Sequence, residues 1–205
     1  MNTEVLIAFV FATAALAIAP GPDNIYVLLQ SMVHGVKSGL VTVCGLISGC
    51  LVHTTLVAFG VSALIKQTPF LFTVLKIFGA CYLLYLAFKV YKGSSEIDIS
   101  SSQIPKKTYK ALFKQGFFMN VLNPKVSIFF LAFFPGFLFS DTLNSIWQFY
   151  ILGAIFMVVS FIIFSCIAVL SGKLSDYILK HKNVGVVLKW LQIIVFVGIA
   201  IFLFF

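Results

Sequence analysis

Arginine is absent from this sequence of 205 residues, and charged residues of every kind make up only 10% of it. Soluble domains carry about 25% charged residues, so this chain has too little polar surface to cover a globule in water. An ordinary soluble enzyme and an intrinsically disordered chain are thereby excluded. Because 61% of the residues are hydrophobic, the sequence predicts an integral membrane protein.

Clusters that would bind metal, form disulfides or contact nucleic acid are also missing. The cysteines lie in apolar stretches and form no C-x-x-C pair, which argues against a disulfide framework and against a membrane thiol-electron carrier. The histidines lie far apart in the sequence, so we predict neither a metal site nor a cofactor. The net charge of +8 comes from lysines concentrated in loops, without interleaved aromatic residues, so no nucleic-acid partner is expected.

Long apolar stretches predict an all-α membrane protein with six spanning helices, since one span needs about 20 apolar residues. The runs are continuous and not alternating, which excludes the strands of a membrane barrel. A polar loop at 91–111 separates two predicted three-helix repeats, 1–90 and 112–205, within one domain, 1–205. The predicted spans are 4–33, 38–65, 69–90, 112–138, 146–172 and 186–205.

The lysines are distributed unequally between the two sides of the predicted membrane. Eleven of them lie in or beside the loops after the first, third and fifth spans, and two lie on the other side. Because lysine-rich loops stay in the cytoplasm, this asymmetry predicts that both termini face outward. Lys125 lies within the fourth span and belongs to neither side.

Each predicted repeat begins with a helix that is interrupted in its middle. Pro20, Gly21 and Pro22 interrupt the first span, and Asn123 and Pro124 interrupt the fourth. Three spans is an odd number, so the second repeat enters the bilayer from the opposite side. Interrupted helices at equivalent positions of inverted repeats are typical of a transporter's binding site. A structural kink at each proline is the alternative interpretation.

Two charged residues directly follow these prolines, Asp23 in the first span and Lys125 in the fourth. A charge at the bilayer centre costs about 2.5–3.5 kcal/mol, so we expect the two residues to approach each other where the repeats meet. A neighbouring cation and anion would suit the carboxylate and ammonium of a zwitterionic amino acid. A structural ion pair that locks the two halves is the alternative, and a pair opened by substrate or proton would be a gate.

Other polar and small residues of the spans have narrower predicted roles. Asn24 and Asn123 flank the breaks and could bind substrate or cap the helix ends. His53 lies near the centre of the second span and is, with Asp23, a candidate proton carrier, although a hydrogen bond to a neighbouring helix is the alternative. Gly45 and Gly49, four residues apart, should allow close packing of another helix, for which the first span is the candidate.

Together these residues resemble the LysE/RhtB family of amino-acid exporters. The resemblance rests on the segment APGPDN at 19–24, on KIFGACYLLYL at 76–86 and on GFFMNVLNPKVSIFFLAFFPGF at 116–137, with Gly35, Gly39, Gly45 and Gly49 between them. It implies a six-span carrier of the bacterial inner membrane that exports amino acids or close derivatives, driven by the proton gradient. It also implies that the Pro20–Pro22 and Asn123–Lys125 segments are central to transport.

The sequence therefore predicts a secondary transporter and no enzyme. Its expected substrates are small neutral amino acids, exchanged for protons across the lipid bilayer. A homodimer is a further expectation, because the unit is small. The alternative function is a metal-ion exporter of similar architecture.

Overall fold

The computed structural model describes residues 2–63, 69–93, 106–180 and 184–204, and every regular element within those ranges is helical. Most of the predicted loop, residues 94–105, lies outside the described part of the chain. The helices are α1 (Thr3–Ile18), α2 (Pro22–His34), α3 (Val36–Leu56), α4 (Pro69–Lys92), α5 (Tyr109–Val121), α6 (Pro124–Ile128), α7 (Ser145–Val169), α8 (Ser171–Lys180) and α9 (Val184–Phe202).

The helix lengths confirm the predicted all-α membrane architecture. Four helices of the described chain, α3 with its continuation to Val61, α4, α7 and α9, are long and apolar enough to cross a bilayer. Two more spans result if each bent pair is one span: α1 with α2, bent by 61°, and α5 with α6 and its continuation to Phe137, bent by 48°. Six spans is the number that the sequence predicts.

Both breaks fall where the prolines predict them. Pro22 is the first residue of α2 and Pro124 is the first residue of α6, the position at which the missing N–H of proline removes no helical hydrogen bond. Gly21 precedes Pro22 in an extended conformation. Each proline therefore ends the helix before it and starts the next one at a new angle.

Apolar side chains divide between an aromatic core and the lipid-facing surface. Phe9 of α1 packs against Phe129 and Phe134, which follow α6, and Phe129 and Phe134 also contact Phe156 of α7. These rings are buried, whereas Phe11, on the opposite side of α1, is 71% exposed. Exposed aromatic and aliphatic side chains are expected on a surface that contacts lipid rather than water.

Helices α3 and α5 pack closely along an extensive contact. A side chain at Gly45 would overlap the carbonyl oxygen of Phe113, and one at Gly116 of α5 would overlap the carbonyl oxygen of Thr42. A Cβ at Gly49 would lie 2.8 Å from the side-chain oxygen of Asn120. The expectation that these glycines pack against the first span was wrong. A spacing of four shows that two residues share a helix face, and it does not select the helix that packs there.

We expect Gly45→Ala to lower the thermal unfolding midpoint of the purified protein in detergent. Its methyl group has no room beside the Phe113 backbone, and overpacking of this kind costs about 1–3 kcal/mol. Gly198→Ala in α9 adds the same methyl where no atom lies within 4 Å, so its midpoint should not fall. Equal midpoints for the two variants would contradict the close α3–α5 contact.

Candidate functional site

The break between α1 and α2 leaves backbone carbonyl groups without helical partners, and polar side chains bond two of them. The Asn24 side-chain amide donates to the carbonyl oxygen of Ala17 at 2.7 Å. The ammonium nitrogen of Lys125 donates to the carbonyl oxygen of Ala19 at 2.9 Å. Lys125 belongs to the other half of the chain, so the second break supplies a partner that the first break requires.

At the break between α5 and α6, Asn123 bonds both its own helix and the first break. The Asn123 side-chain oxygen accepts a hydrogen bond from the backbone N–H of Lys125 at 3.0 Å and so caps α6. Its side-chain nitrogen donates to a carboxylate oxygen of Asp23 at 2.8 Å. Two hydrogen bonds therefore join the breaks, and in both the donor belongs to the second break and the acceptor to the first, between residues 100 and 106 positions apart in the sequence.

The structure brings Asp23 and Lys125 to one place, but it joins them indirectly. The carboxylate of Asp23 bonds Asn123, and the ammonium of Lys125 bonds the Ala19 carbonyl. The Lys125 ammonium also lies 5.7 Å from the centre of the Phe196 ring of α9, where the ring face attracts a cation. Two opposite charges thus face a buried site without neutralising each other through a direct hydrogen bond.

A small cavity of about 30 Å³ lies at this crossing. Asp23, Asn123 and Lys125 line it from the two breaks. A cavity for one water molecule needs about 10–15 Å³, so this one accommodates a group of that size and no complete amino acid. The remaining wall residues are Leu16, Ala17, Gly21, Asn24, Cys50, Asn120, Val126, Phe156, Ser160 and Phe164.

A second cavity of about 900 Å³ adjoins the first. Pro20, Gly21, Pro22 and Asn24 line it at one end, and Gly21 and Asn24 line both cavities. The wall of the large cavity continues to residues near the ends of α4, α8 and α9, among them Gly93, Leu174 and Lys189. It therefore extends from the helix break toward the end of the molecule that the sequence predicts to be cytoplasmic.

His53, the second predicted proton carrier, lies beside the crossing and lines neither cavity. Its Nε2 lies 3.2 Å from the carbonyl oxygen of Asn120, near the end of α5, and its ring packs against Phe130. Asn120 also accepts a contact from the thiol of Cys50 at 3.6 Å. The predicted packing residues Gly45 and Gly49 lie on the α3–α5 contact, away from the large cavity.

Sequence reasoning did not select some residues that the structure places at the site. Ser160 and Phe156 of α7 line the small cavity with Cys50 of α3. Ser160 and Ser165 are two serines in the same long apolar run, and no pattern in the sequence shows which of them lines a cavity. In the described chain, no group of three or more His, Cys, Asp or Glu side chains is arranged to hold a metal ion.

Comparisons with known proteins agree with this architecture. The family described as LysE type translocator matches residues 14–205. Leucine efflux proteins of Salmonella choleraesuis, Salmonella paratyphi A and Salmonella typhimurium are each 31% identical to the chain over 185 residues, which is 90% of this chain and 87% of theirs. No solved structure matches the chain.

Proposed function

Because the chain belongs to the family of LysE type translocators, we propose that it exports small neutral amino acids across the bacterial inner membrane in exchange for protons. Leucine is the first substrate to test, since the similar proteins named above are leucine efflux proteins. One observation carries the proposal: the crossed breaks hold a buried carboxylate and a half-buried lysine ammonium beside a cavity.

The proposed site matches the two charges of an amino acid. The substrate carboxylate binds near Lys125 and the first turn of α2, where Gly21 supplies no side-chain cap for the backbone N–H groups. The substrate ammonium binds the carboxylate of Asp23, which Asn123 orients. Pro20, Pro22 and Pro124 hold the helix ends in place, and Asn24 bonds a freed carbonyl of α1.

Asp23 is the proposed proton carrier in preference to His53. Its carboxylate lies in the site, and a proton and an ammonium group compete for the same carboxylate. Such competition is what the exchange of a proton for an amino acid requires. His53 bonds the Asn120 carbonyl and lines neither cavity. Its proposed role is to support the end of α5.

The remaining alternative, a metal-ion exporter, has no observation in its favour within the described ranges, where no metal-ligand cluster is found. The external position of both termini and the assembly of a homodimer stay predictions.

An export assay with and without a protonophore tests the proposed function. Cells loaded with a leucine-containing dipeptide should release leucine faster when they express the protein, and the protonophore should abolish the difference. Lysine release should not change, because the described lining of the large cavity contains Lys189 and no acidic side chain that could pair with a second cation. If the protonophore left the rate of leucine release unchanged, proton exchange would be contradicted. If the protein released no small neutral amino acid into the medium, export itself would be contradicted.

A further inference from the structure

Ser160 carries a buried hydroxyl group that no group of the protein satisfies. The residue is 1% exposed, and its Oγ has no hydrogen-bond partner. Serines within helices commonly donate to the carbonyl four residues earlier, as Ser31 does here to Val27 and Ser48 does to Cys44, both at 2.7 Å. Ser160 makes no such bond. Its hydroxyl is therefore available to a polar group from outside the chain, because burial without a partner is unfavourable.

The position of Ser160 distinguishes it from other unpartnered hydroxyl groups. Ser165, on the same helix, also lacks a partner for its Oγ, but it lines neither cavity. Ser160 lines the small cavity together with Asp23. A carboxylate and a free hydroxyl in the wall of a cavity the size of an ammonium group are an acceptor set for a cation of that size.

One helix, α7, connects the small cavity to the large one. Ser160 faces the small cavity, and Ile163 and Ile167, about one and two turns further along the helix, line the large cavity. Ile25 and Leu28 of α2 line the large cavity as well. The wall beyond the helix break is thus mainly aliphatic, and it contains no acidic side chain among the described residues.

Gly21 lies at the boundary between the cavities, since it lines both of them. A Cβ at this position would lie 3.7 Å from the Lys125 ammonium nitrogen and 3.8 Å from the Asn24 side-chain oxygen. The polar groups of both breaks therefore surround the point at which the two cavities meet.

We infer that the two cavities are the two parts of one substrate site, in which Ser160 binds the substrate's ammonium group and the large cavity takes an aliphatic side chain. The inference rests on the proposed export of amino acids. The ammonium group of the substrate lies between Asp23 and Ser160 in the small cavity. The α-carbon of the substrate lies beside Gly21, and the substrate side chain contacts Ile163 and Ile167. Selection for aliphatic over basic amino acids then follows from the wall of the large cavity, where a charged side chain would lose hydration without gaining a partner.

Ser160→Ala tests the polar part of the site. In everted membrane vesicles, we expect the KM for leucine uptake to rise about tenfold, the effect of losing one hydrogen bond to a charged group. Competition by 4-methyl-2-oxopentanoate, which has the same side chain and carboxylate but no ammonium, should stay unchanged. Ser165→Ala is the matched control, since it removes an unpartnered hydroxyl outside the cavities, and its KM should equal that of the wild type.

Ile163→Phe tests the apolar part of the site. The larger ring occupies part of the cavity, so we expect the ratio of leucine to alanine transport to fall. Val158→Phe adds a ring to the same helix at a position that is 59% exposed and should leave the ratio unchanged. Both variants introduce a phenylalanine into α7, in one case at the cavity wall and in the other at the exposed surface.

A thiol-protection assay tests the same inference without measuring transport. Cys166 is exposed and lines the large cavity, whereas the exposed Cys44 and Cys81 do not line it and can be replaced by serine. Leucine should slow the reaction of Cys166 with a maleimide, and lysine should not.

Three results would overturn the inference while leaving export intact. They are an unchanged leucine KM in Ser160→Ala, as expected if the small cavity holds only water; an unchanged selectivity in Ile163→Phe; and equal protection of Cys166 by leucine and lysine. By contrast, a wild-type protein that transports no small neutral amino acid would overturn the proposed function itself.

Discussion

Asp23→Asn is expected to reduce leucine export to the level of cells without the protein, while the amount of protein in the membrane stays the same. Asparagine has nearly the same shape as aspartate, and its side-chain oxygen can still accept the hydrogen bond that Asn123 donates at 2.8 Å. What the variant lacks is the negative charge. A hydrogen bond to a charged group contributes about 1.5–3 kcal/mol, so the substrate ammonium should bind about 10- to 100-fold more weakly.

The loss of a proton carrier adds to this weaker binding. The asparagine amide does not take up and release a proton near neutral pH. The variant therefore cannot exchange a proton for substrate even when substrate is abundant. Asp141→Asn is the matched control, because Asp141 is an exposed acidic residue in the connection before α7. Its export rate should equal that of the wild type. Normal export by Asp23→Asn at every leucine concentration would remove Asp23 from the site.

Lys125→Met is expected to abolish export and also to lower the thermal stability of the protein. Methionine preserves much of the length and apolar stem of lysine, but it cannot donate to the Ala19 carbonyl. That carbonyl belongs to the broken end of α1 and would be buried without a partner, at a cost of about 1–3 kcal/mol. The substrate carboxylate would lose its cationic partner as well. Lys114→Met, at an exposed position of α5, is the control and should retain export.

Combining Asp23→Asn with Lys125→Met separates a structural pair from a transport site. A single substitution leaves one buried charge near an uncharged neighbour, which is more costly than leaving neither charge. The double variant should therefore recover part of the stability lost in Lys125→Met and still fail to export leucine. Recovery of export together with stability would show that the two charges serve only to hold the halves together.

The helix breaks were predictable from the sequence because proline acts locally. Pro22 and Pro124 remove backbone donors wherever they occur, and each begins a new helix in the structure. The approach of the two breaks followed from the cost of isolated charges in a bilayer. The details of that approach did not follow, since the distances between side chains 100 residues apart depend on how the helices pack. A direct contact of Asp23 with Lys125 was the natural expectation, and the structure places Asn123 between the two helix ends instead.

The lining of the cavities was beyond the reach of sequence patterns. In the sequence, Ser160 resembles a serine whose hydroxyl bonds a carbonyl of its own helix. Only the structure shows that its hydroxyl makes no such bond. Ile163 and Ile167 are indistinguishable in the sequence from the lipid-facing residues around them. The extra helix α8 also escaped prediction, because it is short and polar and follows directly after the fifth span.

Direct binding of leucine to the purified protein in detergent tests the crossed helix breaks as an amino-acid site most directly, since it requires neither a membrane potential nor a completed transport cycle. The wild type, Asp141→Asn and Lys114→Met should bind radiolabelled leucine with equal affinity, and unlabelled lysine should not displace it. Asp23→Asn and Lys125→Met should each bind at least about tenfold more weakly. Wild-type leucine affinity in both of these variants would contradict the assignment of the site to the two breaks.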